Sequence, residues 1–319
     1  MAFRSEGVNF TGGNGATLAA RLDYPAGRPR AFALFAHCFT CSKDILAASR
    51  IAGGLAEAGI AVLRFDFTGL GHSDGEFANT DFSANLDDLV AAADWLRETH
   101  QAPAILVGYS LGGAAVLAAA GRIPEVQGVA TVNAPFDPGH VSHQFGASIS
   151  EINEKGEAEV SLAGRPFRIR KQFLDDLTGH RMEELIGGLR RHLLVFHAPT
   201  DASVGIENVG QIFGAAKHPK SFVSLDGADH LLTRRQDAAY VANMLSAWAS
   251  RFAPEQPSEI VRAGEGEVVV TEAEDGRFAQ LIAAGPHQMR GDEPPSIGGT
   301  DPAPRPMACC WPVWGRAPA

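Results

Sequence analysis

The sequence predicts an α/β protein: a mostly parallel sheet of about eight strands, with helices on both faces. Short, continuously apolar runs recur along the first 250 residues, as expected of strands buried on both sides. Stretches of helical period separate them, and alternating strands and helices are the pattern of a parallel sheet. At 319 residues and 45% hydrophobic content, the chain is large enough to bury such a sheet.

Residues 7–25 read as an antiparallel strand pair around the Asn14-Gly15 turn signal. Ala31–Ala36 (AFALFA) is the first fully buried strand, and a helix follows over 44–58. Ile60–Phe65 (IAVLRF) is the next strand, entering the glycine-rich loop Asp66-Phe67-Thr68-Gly69-Leu70-Gly71-His72-Ser73. Residues 81–99 form an amphipathic helix, with Leu86, Leu89, Val90, Ala93 and Leu96 on one face. Strands are expected at Ile105–Tyr109, Val126–Val132, His192–His197 and Lys220–Leu225, and a closing helix over 234–251. Residues 137–190 break the alternation with a hairpin across Ala163-Gly164 and short helices. That is too long for a plain connection, so it reads as a small lid.

The formal net charge of −10, with no basic run, excludes nucleic acid as a partner class. No segment is long and apolar enough to span a bilayer, so no membrane partner is expected. The first residues carry no apolar stretch after their charges, so no signal peptide is expected and the localisation read from the sequence is cytoplasmic. The four cysteines, Cys38, Cys41, Cys309 and Cys310, do not resemble a secreted disulfide framework. A homodimer is among the oligomeric states the sequence leaves open.

Gly108-Tyr109-Ser110-Leu111-Gly112 is a G-x-S-x-G with an apolar strand before it and a small-residue helix after it. In that context the serine sits at the tip of a sharp strand-to-helix turn, and its glycine neighbours leave room for it. The helix start places the N–H of Leu111 beside the hydroxyl, where it can bind an oxyanion. A serine needs a base, and the base an orienting acid. Asp201 and His230 both lie just after strands, so that Ser110, Asp201 and His230 can converge at the carboxyl ends of a parallel sheet. Asp137, Asp226 and Asp229 are weaker rivals for the acid. The second oxyanion donor should come from the loop after Ala31–Ala36, with the N–H of Phe39 preferred and that of Cys38 next to it. His37, Cys38 and Tyr109 are assigned to substrate contact or loop shaping. No metal or organic cofactor is expected.

Together, Gly108-Tyr109-Ser110-Leu111-Gly112, the His37-Cys38-Phe39 loop, Asp66-x-x-Gly69-x-Gly71-x-Ser73, Asp201 and His230 resemble the serine esterase branch of the α/β-hydrolase superfamily, over about residues 8–252. Cys38 departs from that branch, which has glycine after the histidine. The resemblance implies an α/β-hydrolase domain over 1–253 acting on a small-molecule ester of short to medium acyl chain, with an amidase or peptidase using the same triad as the alternative. More narrowly, the chain is similar to bacterial proteins that fuse such a domain to an OsmC-like one. Gly264–Glu272 and Arg277–Ile282 read as the opening strands of that second part, and residues 254–319 as a truncated remnant or disordered tail. The proline-broken run Pro302–Ala319, with Cys309 and Cys310, looks like an out-of-frame reading of a GC-rich gene, which resequencing would test. A rival of another class is a thiol redox protein using Cys38-x-x-Cys41, which would leave Ser110, Asp201 and His230 without a role.

Overall fold

The computed structural model describes residues 3–162, 164–253, 263–264, 266–272, 278–285, 287–294 and 299. By its contacts the chain divides into two units: residues 2–25 with 29–254, and the remainder.

The larger unit begins with β1 (Phe3–Thr11) and β2 (Thr17–Pro25), an antiparallel hairpin in register from Phe3↔Pro25 to Thr11↔Thr17. Asn14 shapes the turn, its side chain accepting from Ala16 N–H at 2.9 Å. Then come β3 (Ala31–Ala36), α1 (Leu46–Glu57), β4 (Ile60–Phe65), α2 (Phe82–Thr99), β5 (Ile105–Tyr109), α3 (Leu111–Ala119) and β6 (Gly128–Val132). The 137–190 insertion holds a 3₁₀ stretch (Pro138–Phe145), α4 (Ser148–Lys155), β7 (Glu157–Leu162), β8 (Arg165–Arg170), α5 (Lys171–Leu177) and α6 (Met182–Gly187). The unit closes with β9 (His192–His197), α7 (Glu207–Ala215), β10 (Lys220–Ser224) and α8 (Arg235–Ala249).

The central sheet has eight strands in the order β1-β2-β4-β3-β5-β6-β9-β10. From β4 to β10 every pairing is parallel, and only the first hairpin runs antiparallel to its neighbours. The strand period of two sends alternate side chains to opposite faces. Ala31, Ala33 and Phe35 of β3 face one core with Ile60 and Val62, packed against Ile51 and Leu55 of α1 and Val241 and Leu245 of α8. Phe32 and Leu34 face the other core with Leu63 and Phe65, against Leu89 and Leu96 of α2 and Val116 of α3. Covered on both faces, β3, β4, β5 and β6 are buried at every residue, which is why their sequences are apolar except for Thr131 and for Arg64, whose guanidinium pairs with the buried Asp23 at 2.7 Å. Strand β10 differs from the buried strand expected: it is the sheet edge, and Phe222 on it is 41% exposed.

The expected hairpin in the insertion is β7–β8, paired from Glu157↔Arg170 to Leu162↔Arg165. Its inward residues Ala158, Val160, Leu162 and Ile169 join the same core as Phe145 and Phe173, so the insertion is a packed layer. Within the second unit, the described residues form a three-stranded antiparallel sheet of β11 (Val268–Glu272), β12 (Gln280–Ala284) and β13 (His287–Gly291). Two of these strands are expected from sequence, and β13, with His287, Gln288 and Arg290, is additional. Cys309, Cys310 and the rest of Pro302–Ala319 lie outside the described residues. Among the described residues no helix is long and apolar enough to cross a membrane.

Candidate active site

Strand β5 runs straight into α3, and Ser110 is the joint, at φ 52°, ψ −125°. A non-glycine residue with positive φ is held there at a cost by what surrounds it. The surroundings are backbone at close range. A Cβ on Gly112 would lie 2.4 Å from the Ala36 carbonyl oxygen, and one on Gly108 would lie 2.3 Å from the Gly112 carbonyl oxygen. Only glycine permits either approach. Ser110 N–H donates to Val132 O at 2.9 Å, fixing the turn to β6.

Two residues far along the chain meet the Ser110 side chain. His230, from the loop after β10, has Nε2 3.2 Å from Ser110 Oγ. Its Nδ1 lies 2.6 Å from Asp201 Oδ2, from the loop after β9. A carboxylate only accepts, so Nδ1 carries the proton and Nε2 is the lone pair facing the serine hydroxyl. The Asp201 side chain is fully buried. Burial alone would raise its pKa. The hydrogen bond from His230, with those from Val204 N–H (3.0 Å) and Ser203 N–H (2.7 Å), outweighs that and holds the carboxyl below its usual range. The rival acids are engaged elsewhere: Asp137 accepts from Gly139 N–H, Asp226 from Ser224 Oγ, and Asp229 from Thr233.

The His230 backbone is clamped by residues of two neighbouring strand ends. The Tyr109 hydroxyl and Asn133 Nδ2 (3.0 Å) both donate to the His230 carbonyl, and Asn133 Oδ1 accepts from Ala198 N–H at 2.9 Å. Tyr109 is fully buried, and burial with the charges of Asp201 and Asp229 raises its phenol pKa far above normal. It therefore acts as a neutral donor and does not line the cavity over Ser110. Asn133 is the residue that sequence reasoning missed. Its position, just past β6 on the same sheet end as Ser110 and Asp201, was the available signal.

The loop after β3 is the second wall. His37 is buried and donates from Nδ1 to Cys38 O at 2.8 Å, while Nε2 accepts from Phe67 N–H at 3.4 Å. Burial pushes its pKa below the ordinary value, and the Cys38 carbonyl and Asp66 oppose that incompletely. His37 is thus a neutral loop-shaping ring, and like Tyr109 it is absent from the lining of the Ser110 cavity. Cys38 and Cys41, the pair of the rival thiol redox reading, are joined by a disulfide. Behind the loop, Lys43 Nζ pairs with Asp66 Oδ2 at 2.8 Å, both side chains nearly or fully buried. Burial raises the Asp66 pKa, but hydrogen bonds from the Lys43 ammonium and N–H and from His72 N–H overcome it and leave the carboxyl below normal.

A cavity of about 1020 Å³ opens over these groups. Ser110, Asp201 and His230 form its floor with Phe39, Cys38 and Cys41, and the insertion contributes His140, His143 and Arg165 to its wall. Leu111, the first residue of α3, is buried beside the floor. Its N–H is one of the four that a helix start leaves without an intrahelical acceptor.

Known proteins share this architecture. The family model described as serine aminopeptidase, S33 (Hydrolase_4) matches residues 27–162, from β3 through the elbow to β7. The chain is 51% identical to the esterase domain of a Rhodothermus marinus protein, across 78% of this chain and 99% of that one, with a TM-score of 0.66. The chain belongs to the α/β-hydrolase superfamily. Est1E from Butyrivibrio proteoclasticus, in a structure with ferulic acid bound, shares the fold at 21% identity, covering 76% of this chain and 98% of that one, with a TM-score of 0.63. XC6422 from Xanthomonas campestris, an α/β serine hydrolase without a lid, does so at 20% identity, covering 80% and 97%, with a TM-score of 0.56. No curated protein sequence matches the chain.

Proposed function

We propose that this α/β-hydrolase cleaves carboxylic esters of small molecules through an acyl-enzyme on Ser110. The observation that carries the reading is the unbroken line Ser110 Oγ, His230 Nε2, His230 Nδ1, Asp201 Oδ2, with gaps of 3.2 and 2.6 Å. His230 takes the hydroxyl proton as Ser110 attacks the ester carbonyl. The buried Asp201 carboxylate holds the imidazole in the productive tautomer and stabilises the imidazolium. The N–H groups of Leu111 and Phe39 bind the oxyanion of the tetrahedral intermediate. His230 then protonates the leaving alcohol, and water activated by the same imidazole releases the acid. The 51% identity to a domain described as an esterase supports ester over amide as the substrate class.

The insertion sets acyl preference. Its aromatic residues Phe145, Phe167 and Phe173 pack into a cluster with Phe39 and Phe77, and its polar residues face the cavity. That distribution favours short to medium acyl chains. Hydrolysis of p-nitrophenyl esters from acetate to decanoate, by wild type and Ser110→Ala, tests the reading. Activity in the wild type that disappears in the variant is expected, and activity surviving Ser110→Ala would overturn it. A second reading, amide or peptide hydrolysis by the same residues, draws on the serine aminopeptidase family model. Matched p-nitroanilides distinguish the two, since turnover of anilides at rates near those of the esters would favour the amidase.

A further inference from the structure

The turn that presents Phe39 is closed covalently by residues to which ester hydrolysis assigns no part. Cys38 and Cys41 flank Phe39 and Thr40 and are joined by the disulfide, with Cys41 N–H donating to Cys38 O at 3.2 Å. Inside the turn Thr40 sits at φ 57°. A β-branched residue is a genuine outlier there and relaxes unless its surroundings hold it. The holding groups are the disulfide and one side chain of the insertion, Arg165, which donates to the Thr40 carbonyl. The Lys43–Asp66 pair anchors the chain beyond the turn, and the Phe39 ring packs on Phe77, Phe145 and Phe173, but neither contact acts on the Thr40 backbone. Both cysteines line the same cavity as Ser110 and His230, so a small dithiol entering that cavity meets the disulfide directly.

We infer that the Cys38–Cys41 disulfide is a reversible thiol–disulfide site that holds the Phe39 turn in its working conformation and so couples hydrolysis to the thiol redox state. The inference rests on the proposed ester hydrolysis with Phe39 as an oxyanion donor. A thiolate of a dithiol reductant attacks one of the two sulfurs, and the other leaves as a thiolate. The reductant's second thiol then resolves the mixed disulfide. The net exchange gives two protein thiols and one oxidised, cyclic reductant, with two electrons and two protons transferred. A disulfide oxidant runs it backwards. In the reduced protein Thr40 leaves the left-handed region and carries the Phe39 N–H away from the oxyanion position. Loss of one oxyanion donor costs about 10²–10³ in kcat, so a displaced donor is expected to cost about tenfold or more. Cys38 and Cys41 are then positioning residues, and the effect falls on kcat.

The test uses the full chain, equilibrated in reduced and oxidised dithiothreitol mixtures. Thiols are counted by alkylation and peptide mass spectrometry, and p-nitrophenyl acetate kinetics are corrected for Ser110→Ala. The expected result is a kcat that falls about tenfold or more in step with the Cys38/Cys41 thiol titre, with KM changed by less than about threefold, and recovery on reoxidation. Cys41→Ser should match the reduced wild type and ignore dithiothreitol, and Cys309→Ser/Cys310→Ser should respond like wild type. If Cys41→Ser does not fold, the wild-type titration decides alone. An unchanged kcat in protein whose Cys38 and Cys41 are reduced overturns the inference while leaving the esterase reading intact, as does a change confined to KM. Absence of any Ser110-dependent turnover in the oxidised protein overturns both.

Discussion

Ser110 and Phe39 line one cavity, and the two walls that carry them are built by different means. The Ser110 wall is held by steric contact between near neighbours: β5, α3 and the last residues of β3 approach so closely that Gly108 and Gly112 admit no side chain. The Phe39 wall is held by side chains brought from a distance. They are the Lys43–Asp66 ion pair, the His37 ring between Cys38 and Phe67, Arg165 from the insertion, and the disulfide. One wall is a rigid backbone device, and the other is a set of interactions that can be removed one at a time. A serine held in a strained conformation needs surroundings that cannot yield, whereas a loop held by separate side chains can be altered by single changes.

Substitutions on the two walls should therefore differ in kind. The largest effect is expected from Ser110→Ala. It should lower kcat by about 10⁴ or more while leaving the thermal midpoint nearly unchanged, measured by ester hydrolysis and differential scanning fluorimetry. Next is Asp66→Asn, which takes the buried carboxylate from the Lys43 ammonium and leaves it only the partly exposed Asp44. It should cost about 3–5 kcal/mol in urea unfolding, and a Lys43→Met/Asp66→Leu double variant should recover much of that. The same carboxyl has a pH signature. Its folded pKa lies below its unfolded one, so the stability it supplies is present above about pH 4 and lost as pH falls through the folded value. Asp66→Asn should flatten that acid limb, read as unfolding midpoints between about pH 3 and 5. On the steric wall, Gly112→Ala should cost about 1–3 kcal/mol, because its Cβ meets the Ala36 carbonyl, which a rigid strand cannot withdraw. A smaller loss of stability should come from Asn133→Ala, about 1–2 kcal/mol from two lost hydrogen bonds. It should also lower kcat several-fold as the His230 backbone loosens.

The same contrast explains what was legible in the sequence. The strands β3, β4 and β9 match their expected bounds residue for residue, because a strand buried on both faces is predominantly apolar. The elbow is equally legible, since its requirements are met within five residues. Asp201 and His230 could be nominated from their places after strands, and the fold brings both to Ser110. What was illegible depends on pairings across long separations. Asn133 bonds to a carbonyl 97 residues away, and Arg165 to one 125 residues away. The disulfide was legible only as a rival reading: Cys38-x-x-Cys41 is compatible with two free thiols or a bridge, and only the turn geometry chooses. The edge position of β10 is not legible in its short, mixed sequence, and its exposure follows from its place at the end of the sheet order.

The sheet order carries a consequence for how the molecule comes into being. β2 pairs with β4, not with the strand that follows it, and β3 waits for both β4 and β5. A nascent chain can therefore form the β1–β2 hairpin early, but its docking edge is absent until residue 65 has emerged, and the sheet has no centre until residue 109. The last member of the site arrives later still, 120 residues beyond the serine and from past the edge strand β10. Ser110, Asp201 and His230 can therefore meet only once residue 230, past the edge strand β10, is in place, so on the proposed esterase reading the recovery of turnover during refolding should report that late step.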